Sequence, residues 1–373
     1  MAMRIGARLA QLRSARVEEL QKLKEGGQKV IGYFCLYAPV ELIRAAGAIP
    51  VRLMRGGSEA ADSGRRFLRA DACPFCRACL GNFPSDPVFR LVDAVVAVNT
   101  CDMMRRLPEV IGHHLSIPTF QVYLSRTSEP LPHRIDEFRR QLKLLADWLG
   151  SFCGSGLTDN SLVEAIVVFN RLRQGLRRLD SLRDADHPPI SQSQLLDIAA
   201  VAWLLDPNAG AELLSSLLEH LVSAVRPQAV GLRPRLMAGG SIVTEDDRWI
   251  LETIEERALV VADLWCTGTR WFDSDLIPGD EPLAALARFY FTRTACMCRR
   301  PNSGLYQAAH ELIRRRRVQG LVFKTLLYCD AWSFEVPRLK AVLGIPVLHL
   351  DSDYSTENRQ QVRTRIEAFL ENL

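Results

Sequence analysis

A chain of 373 residues that is 48% hydrophobic, with a net charge of only +4, is long enough to bury two ordinary cores and too apolar to be disordered. No polybasic block supports nucleic-acid binding, and no apolar run reaches the ~18 residues of a membrane span. The opening stretch "MAMRIGARLAQLRSARVEELQKLKEGG" alternates charged and apolar residues at helical spacing without an unbroken apolar core. It reads as a helix and not as a secretory leader. The expected location is the cytoplasm, where the ten cysteines are expected as buried thiols or metal ligands and not as disulfides.

In chain order, "KVIGYFCLYAPVELIRAAGAIPVRLM" reads as strand, helix and strand, the helix beginning at Pro39 and ending at Gly47. "RADACPFCRACLGNF" then places Cys73, Cys76 and Cys79 within seven residues, a metal-site spacing with no fourth cysteine nearby. "DAVVAVNTCD" is a buried-type strand, a helix begins at Asp102, and "IPTFQVYL" is the next strand. From Leu131 to Val225 the pattern turns helical, with Thr158 or Asp159 and Ser191 as caps. Alternation resumes at "RPRLMAGGSIV" and continues through "RALVVADLW", "VQGLVFKTLLYCD" and "IPVLHLDSDY". Strands alternating with helices form parallel sheets covered on both faces. The expected fold class is α/β: two similar parallel-sheet (Rossmann/flavodoxin-like) domains joined by a helical segment, divided at 1–130, 131–228 and 229–373.

The two α/β halves resemble each other. In "NTCDMMRRLPEVIGHHLSIPTFQVYL" and "LYCDAWSFEVPRLKAVLGIPVLHLDS", Cys-Asp ends an apolar strand, a helix follows, and Ile-Pro opens the next strand. Sixteen residues separate Cys101 from Ile117, and sixteen separate Cys329 from Ile345. The match argues for a duplicated unit.

Ligands of open parallel sheets bind beyond the carboxyl ends of the strands. Cys101 and Cys329 both lie there, so both thiols would enter a cleft between facing domains. Asp102 and Asp330 fit the plainer role of helix-capping carboxylates. Pro74 suits a first helical position, which puts Cys73 at a helix cap where the dipole favours thiolate. Cys76, one turn on, can reach the same place, whereas Cys79 fits the core and Cys153 reads as a small buried hydrophobe. Cys73, Cys101 and Cys329 thus form a candidate set for three irons of a cluster, the fourth iron staying open to water or substrate. Zinc is the rival metal for such thiolates, in a zinc-stabilised binding protein.

At these residues the sequence resembles the 2-hydroxyacyl-CoA dehydratase / benzoyl-CoA reductase family. The resemblance rests on "GYFCLYAPVELIRAAGAIPVRL", "ACPF", "NTCDMMRRL", "ERALVVADLWCTG", "LYCDAWSFEVPRLK" and "RTRIEAFLENL". It implies a D-component-like lyase subunit with one 4Fe-4S cluster held by Cys73, Cys101 and Cys329. It further implies a related second subunit (or a homodimer), and a separate ATP-hydrolysing activator with its own cluster. No "GxxxxGK[ST]" phosphate loop occurs here. The implied substrate is an acyl-CoA, whose thioester carbonyl takes one electron to become a ketyl radical anion, so that the hydroxyl leaves. In the reductases the electrons enter an aromatic ring. The extra cysteines Cys35, Cys76, Cys296 and Cys298 suggest an alternative, since some relatives hold a double-cubane 8Fe cluster and reduce small molecules. Another alternative is a non-catalytic electron-relay subunit. Cys35, Cys76 and Cys296 are therefore further candidate metal ligands.

Glu41, in the first turn after the Cys35 loop, is a candidate acid or base for the leaving hydroxyl, although a helix-dipole role is the plainer reading. His113 and His114 are expected at the surface, His349 as a satisfied core histidine, and Trp265, Trp271 and Trp332 as packing, with Trp332 near enough to Cys329 in the chain to shield the cluster. Gly239-Gly240 offers a turn where backbone amides can approach a phosphate.

Overall fold

The computed structural model describes residues 2–223 and 233–373. Met1, the end of the expected helical stretch at Val225 and the expected boundary at 228/229 lie outside the described residues. The strands are β1 Val30–Tyr33, β2 Ile49–Arg52, β3 Ala94–Val98 and β4 Thr119–Val122, then β5 Arg235–Gly240, β6 Leu259–Asp263, β7 Gly320–Leu326 and β8 Val347–Ser352. They form two four-stranded sheets, in the orders β2-β1-β3-β4 and β6-β5-β7-β8. Every pairing is parallel. The two sheets are therefore the same arrangement repeated, as the paired Cys-Asp strand ends implied.

Helices cover both faces of each sheet, so strands β1, β2, β3, β5 and β7 are buried along their whole length. This is why "AVVAV" and "GLVFKTL" read as continuous apolar runs instead of alternating ones. In each half the first and third strands lead into comparatively short crossovers, and the second strand leads into a long one. Helices Ser58–Ser63, Pro74–Asn82 and Pro87–Arg90 occupy the first long crossover; Thr269–Phe272, Pro282–Thr292 and Ser303–Arg316 occupy the second. Gly240 has φ +117, and a Cβ there would lie 1.9 Å from the Lys324 carbonyl oxygen. Close contact with β7 accounts for this glycine.

Four long helices stand between the halves: Pro132–Cys153, Asp159–Ser181, Gln192–Leu204 and Pro207–Ser223. Thr158 and Ser161 form a reciprocal capping box, as do Ser191 and Gln194. One apolar core joins these helices to the first sheet and to Trp271, Phe272, Tyr290 and Phe291 of the second half. Buried arginines tie the helix Asp159–Ser181 to the second sheet: Arg183, just past its end, donates from Nη1 to the Val260 carbonyl at 2.9 Å, and Arg316 of the second half donates to the Asp180 carbonyl at 3.1 Å and to the Val261 carbonyl at 3.0 Å. Among the described residues no helix is long and apolar enough to cross a membrane.

Candidate functional site

The helix Pro74–Asn82 starts at Cys73, with Pro74 in its first turn. It is seated without side-chain padding. A Cβ on Gly64 would lie 2.0 Å from the Arg77 carbonyl oxygen, and one on Gly81 would lie 1.9 Å from that of Ala60. Two backbones therefore touch, and the position of Cys73 is set by that contact. The Cys76 thiol hydrogen-bonds the Cys73 sulfur and backbone N–H groups of Cys76 and Phe75 point at it, which holds the Cys73 pKa down to about 7 against the opposing effect of burial. Cys76 is correspondingly pushed up. Cys79 is fully buried, and its thiol lies 4.0 Å from the Leu53 and Arg55 carbonyls.

Cys101 caps the helix Asp102–Leu115, and its sulfur accepts from the Met104 amide at 3.4 Å. A hydrogen bond from Cys298, seconded by that amide, lowers its pKa. Cys329, three residues beyond the end of β7, caps the four-residue helix Asp330–Ser333. Tyr328 just before it holds φ 63, a left-handed conformation that costs a non-glycine residue about 1 kcal/mol. Burial pushes the Cys329 thiol up, and the charges of Cys73 and Cys101 push it further. The three thiols thus share one electrostatic neighbourhood at the carboxyl ends of two sheets. Cationic Lys324, buried and paired with Asp247 at 2.8 Å, acts on Cys73 from β7.

A second group of thiols lies beside the first. Cys298 hydrogen-bonds both Cys101 and Cys296, and its own pKa rises as that of Cys296 falls to about 5, with Arg270 also favouring the Cys296 thiolate. The loop that brings them there is strapped to the first half by Arg299. This buried guanidinium donates to the carbonyls of Ser125 at 3.1 Å, Thr127 at 2.8 Å and Phe291 at 2.7 Å. Tyr37 Oη accepts from the Cys296 amide at 3.1 Å. Cys35, 3.5 Å from Thr100 Oγ1, is pushed up to about 12 by burial and feels the charges of Cys266 and Cys296. Cys266 joins this group although sequence reasoning gave it no role. Its position just beyond β6, a strand carboxyl end, was the available signal. All ten cysteines are free. Among the described residues no three His, Cys, Asp or Glu side chains close around a single metal ion.

Glu41 stands apart from the thiols in its bonding. Its carboxylate is fully buried, paired with Arg173 and accepting from Tyr290 Oη at 2.7 Å. His113 and His114 are exposed in the last turn of their helix. His349, partly buried on β8, shares a hydrogen bond of 2.8 Å with Thr325 Oγ1. Trp265, Trp271 and Trp332 are buried, and Trp332 packs in the same apolar cluster against which Cys329 and Cys296 lie.

A sequence-family model described as "2-hydroxyglutaryl-CoA dehydratase, D-component" matches residues 35–373. YjiM of Escherichia coli, provisionally named a dehydratase subunit, is 25% identical over 94% of this chain and 93% of its own. The (R)-phenyllactyl-CoA dehydratase beta subunit of Clostridium sporogenes is 23% identical over 95% of this chain and 94% of its own. One of the subunits of benzoyl-CoA reductase from Thauera aromatica is 22% identical over 85% of this chain and 83% of its own. The twin-sheet fold and its thiol-lined mouth thus belong to a dehydratase-like enzyme chain. The chain is a member of the 2-hydroxyglutaryl-CoA dehydratase D-component family.

Proposed function

We propose that this chain is the iron–sulfur subunit of a 2-hydroxyacyl-CoA dehydratase-type enzyme. The observation that supports the reading is that Cys73, Cys101 and Cys329, each at a helix cap and drawn from both halves, all lie against one apolar cluster. The donor set suits a cluster: the ligands are soft thiols, and backbone amides aimed at the sulfurs of Cys73, Cys101 and Cys329 stabilise negative charge there. A 4Fe-4S cluster held by these three would supply one-electron chemistry at an iron with an open position for the acyl-CoA thioester. The chain's own part is to hold the thiolates, to set Lys324 as a cation near Cys73 and Arg270 near Cys296, and to keep water away with Phe75, Leu326, Trp332 and Tyr354, all buried.

The second thiol group favours a second reading, a double-cubane cluster in which Cys296, Cys35 and Cys76 add ligands and small molecules are reduced. Iron and sulfide analysis of anaerobically purified protein decides among the readings: about four irons per chain for the single cubane, about eight for the double. Zinc alone, or no metal, would refute both. Cys101→Ser and Cys329→Ser are expected to strip the iron, whereas Cys153→Ala, at a half-buried site outside the group, is expected to leave it. The relatives named as beta subunits support a second related chain as partner. A separate ATP-hydrolysing activator as electron donor, and a cytoplasmic location for the ten free thiols, complete the proposal. Co-expression with a candidate partner and measurement of complex mass test the pairing. Acyl-CoA binding by the isolated chain separates a catalytic from an electron-relay role.

A further inference from the structure

We propose that the cavity bounded by the helices Ala2–Glu25 and Gln192–Leu204 and by the segments following β2 and β6 binds a small oxyanion, held by Arg52, Thr267 and Trp203. The cavity has a volume of about 260 Å³. Its polar wall is mostly self-satisfied: Arg13 and Arg55 pair with Glu245 and Asp86, and Arg248 with Asp197. Arg52 is the exception. It is 9% exposed, and among the described residues no carboxylate pairs with it. Its guanidinium stacks over the Trp203 ring at 4.9 Å and spends Nη2 on the Cys266 carbonyl at 2.9 Å. Nε and Nη1 are buried without a partner.

Two further side chains of the same cavity share this condition. Thr267 Oγ1 and Trp203 Nε1 are buried and unpartnered, in residues that are 2% and 6% exposed. Guanidinium and indole nitrogens only donate, and a hydroxyl can donate too. The residues that line the cavity therefore carry a surplus of donors and one positive charge with no partner carboxylate among the described residues. Water would satisfy the donors but not the charge, and a buried charge without a counter-ion is strongly unfavourable. An oxyanion satisfies both. The volume lies below the roughly 300 Å³ at which pockets for drug-sized ligands begin, so the ligand is a short carboxylic acid or inorganic phosphate and not a nucleotide-bearing thioester. Arg52 reaches the backbone of Cys266, so the anion would lie close to the loop that carries that thiol.

The full chain, titrated calorimetrically with acetate, succinate and inorganic phosphate in turn, tests this. Saturable binding of at least one is expected; tighter succinate identifies an organic acid as the source, tighter phosphate a phosphate. Arg52→Gln is expected to abolish the signal. Trp203→Phe keeps the stacking ring and removes only the indole N–H, and Thr267→Val removes only the hydroxyl. Each is expected to weaken binding by about three- to tenfold, which keeps the test decisive if Arg52→Gln does not fold. No saturable binding of any of the three, or binding unchanged in both Trp203→Phe and Thr267→Val, would overturn the site. The titration needs no iron, so its failure leaves the thiol-centre reading standing.

Discussion

Glu41 illustrates how a residue's neighbours decide its part. Its carboxylate and the Arg173 guanidinium are both fully buried, and Tyr290 closes the remaining oxygen. Removing one member of such a pair leaves the other charge buried alone. Glu41→Ala is therefore expected to lower stability by about 3–5 kcal/mol in urea unfolding, and a joint Glu41→Leu/Arg173→Met change by much less than the sum of its parts. Retained stability in the single variant would show that the pair is not what anchors Val40–Ala45. His349 gives a pH signature. Its pKa is lowered chiefly by burial, so between the folded pKa and 6.5 the unfolded chain binds more protons. Stability should rise with pH up to about 6.5 and be lost as pH falls below it, and His349→Gln should flatten that slope in thermal melts at pH 5 to 7. At this scale the sequence was only partly readable. Cys101 and Cys329 were legible because a strand end followed by a helix start is a local signal. The burial of Glu41 was not, since it depends on Arg173 in a helix that starts far along the chain.

Among elements, the helix Pro74–Asn82 is held by bare backbone contact at Gly64 and Gly81. A methyl group at Gly81 would collide with the Ala60 carbonyl, and neither atom sits on a flexible side chain. Gly81→Ala is expected to destabilise the protein by about 1–3 kcal/mol and to reduce bound iron, because Cys73 rides on that helix. Normal iron content in a folded Gly81→Ala protein would mean that Cys73 is not a ligand or that the helix can shift without consequence. The strap at Arg299 offers a second test. Arg299→Ala removes the side-chain bonds of the Cys296–Cys298 loop to Ser125 and Thr127, leaving it tied there by the Arg300 backbone, and iron should fall toward about four per chain if eight are bound and stay at about four if only one cubane exists. Strand runs, the caps at Thr158 and Ser191, and the repeat were all written in short stretches of chain. The approach of Cys298 to Cys101 was not, because Arg299 makes it with carbonyls more than 170 residues away.

For the whole molecule, the common strand order of the two sheets gives each half an equivalent third strand whose end carries a cysteine cap: Cys101 after β3 and Cys329 after β7. A cluster held by both would bridge the halves and stabilise only the folded chain. Chelating the iron is therefore expected to lower the melting temperature by ~5 °C or more, with visible absorbance and circular dichroism lost together in the loaded protein. Separate transitions would place the metal within one half.

The distance along the chain between Cys73 and Cys329 also sets a timetable. On the iron–sulfur reading, no partial product that stops short of Cys329 can hold its cargo, because that sulfur enters the chain 256 residues after Cys73. Until the fold has gathered all three cysteines, their thiols stand without metal and open to oxidation, so delivery of the cluster becomes a race against air.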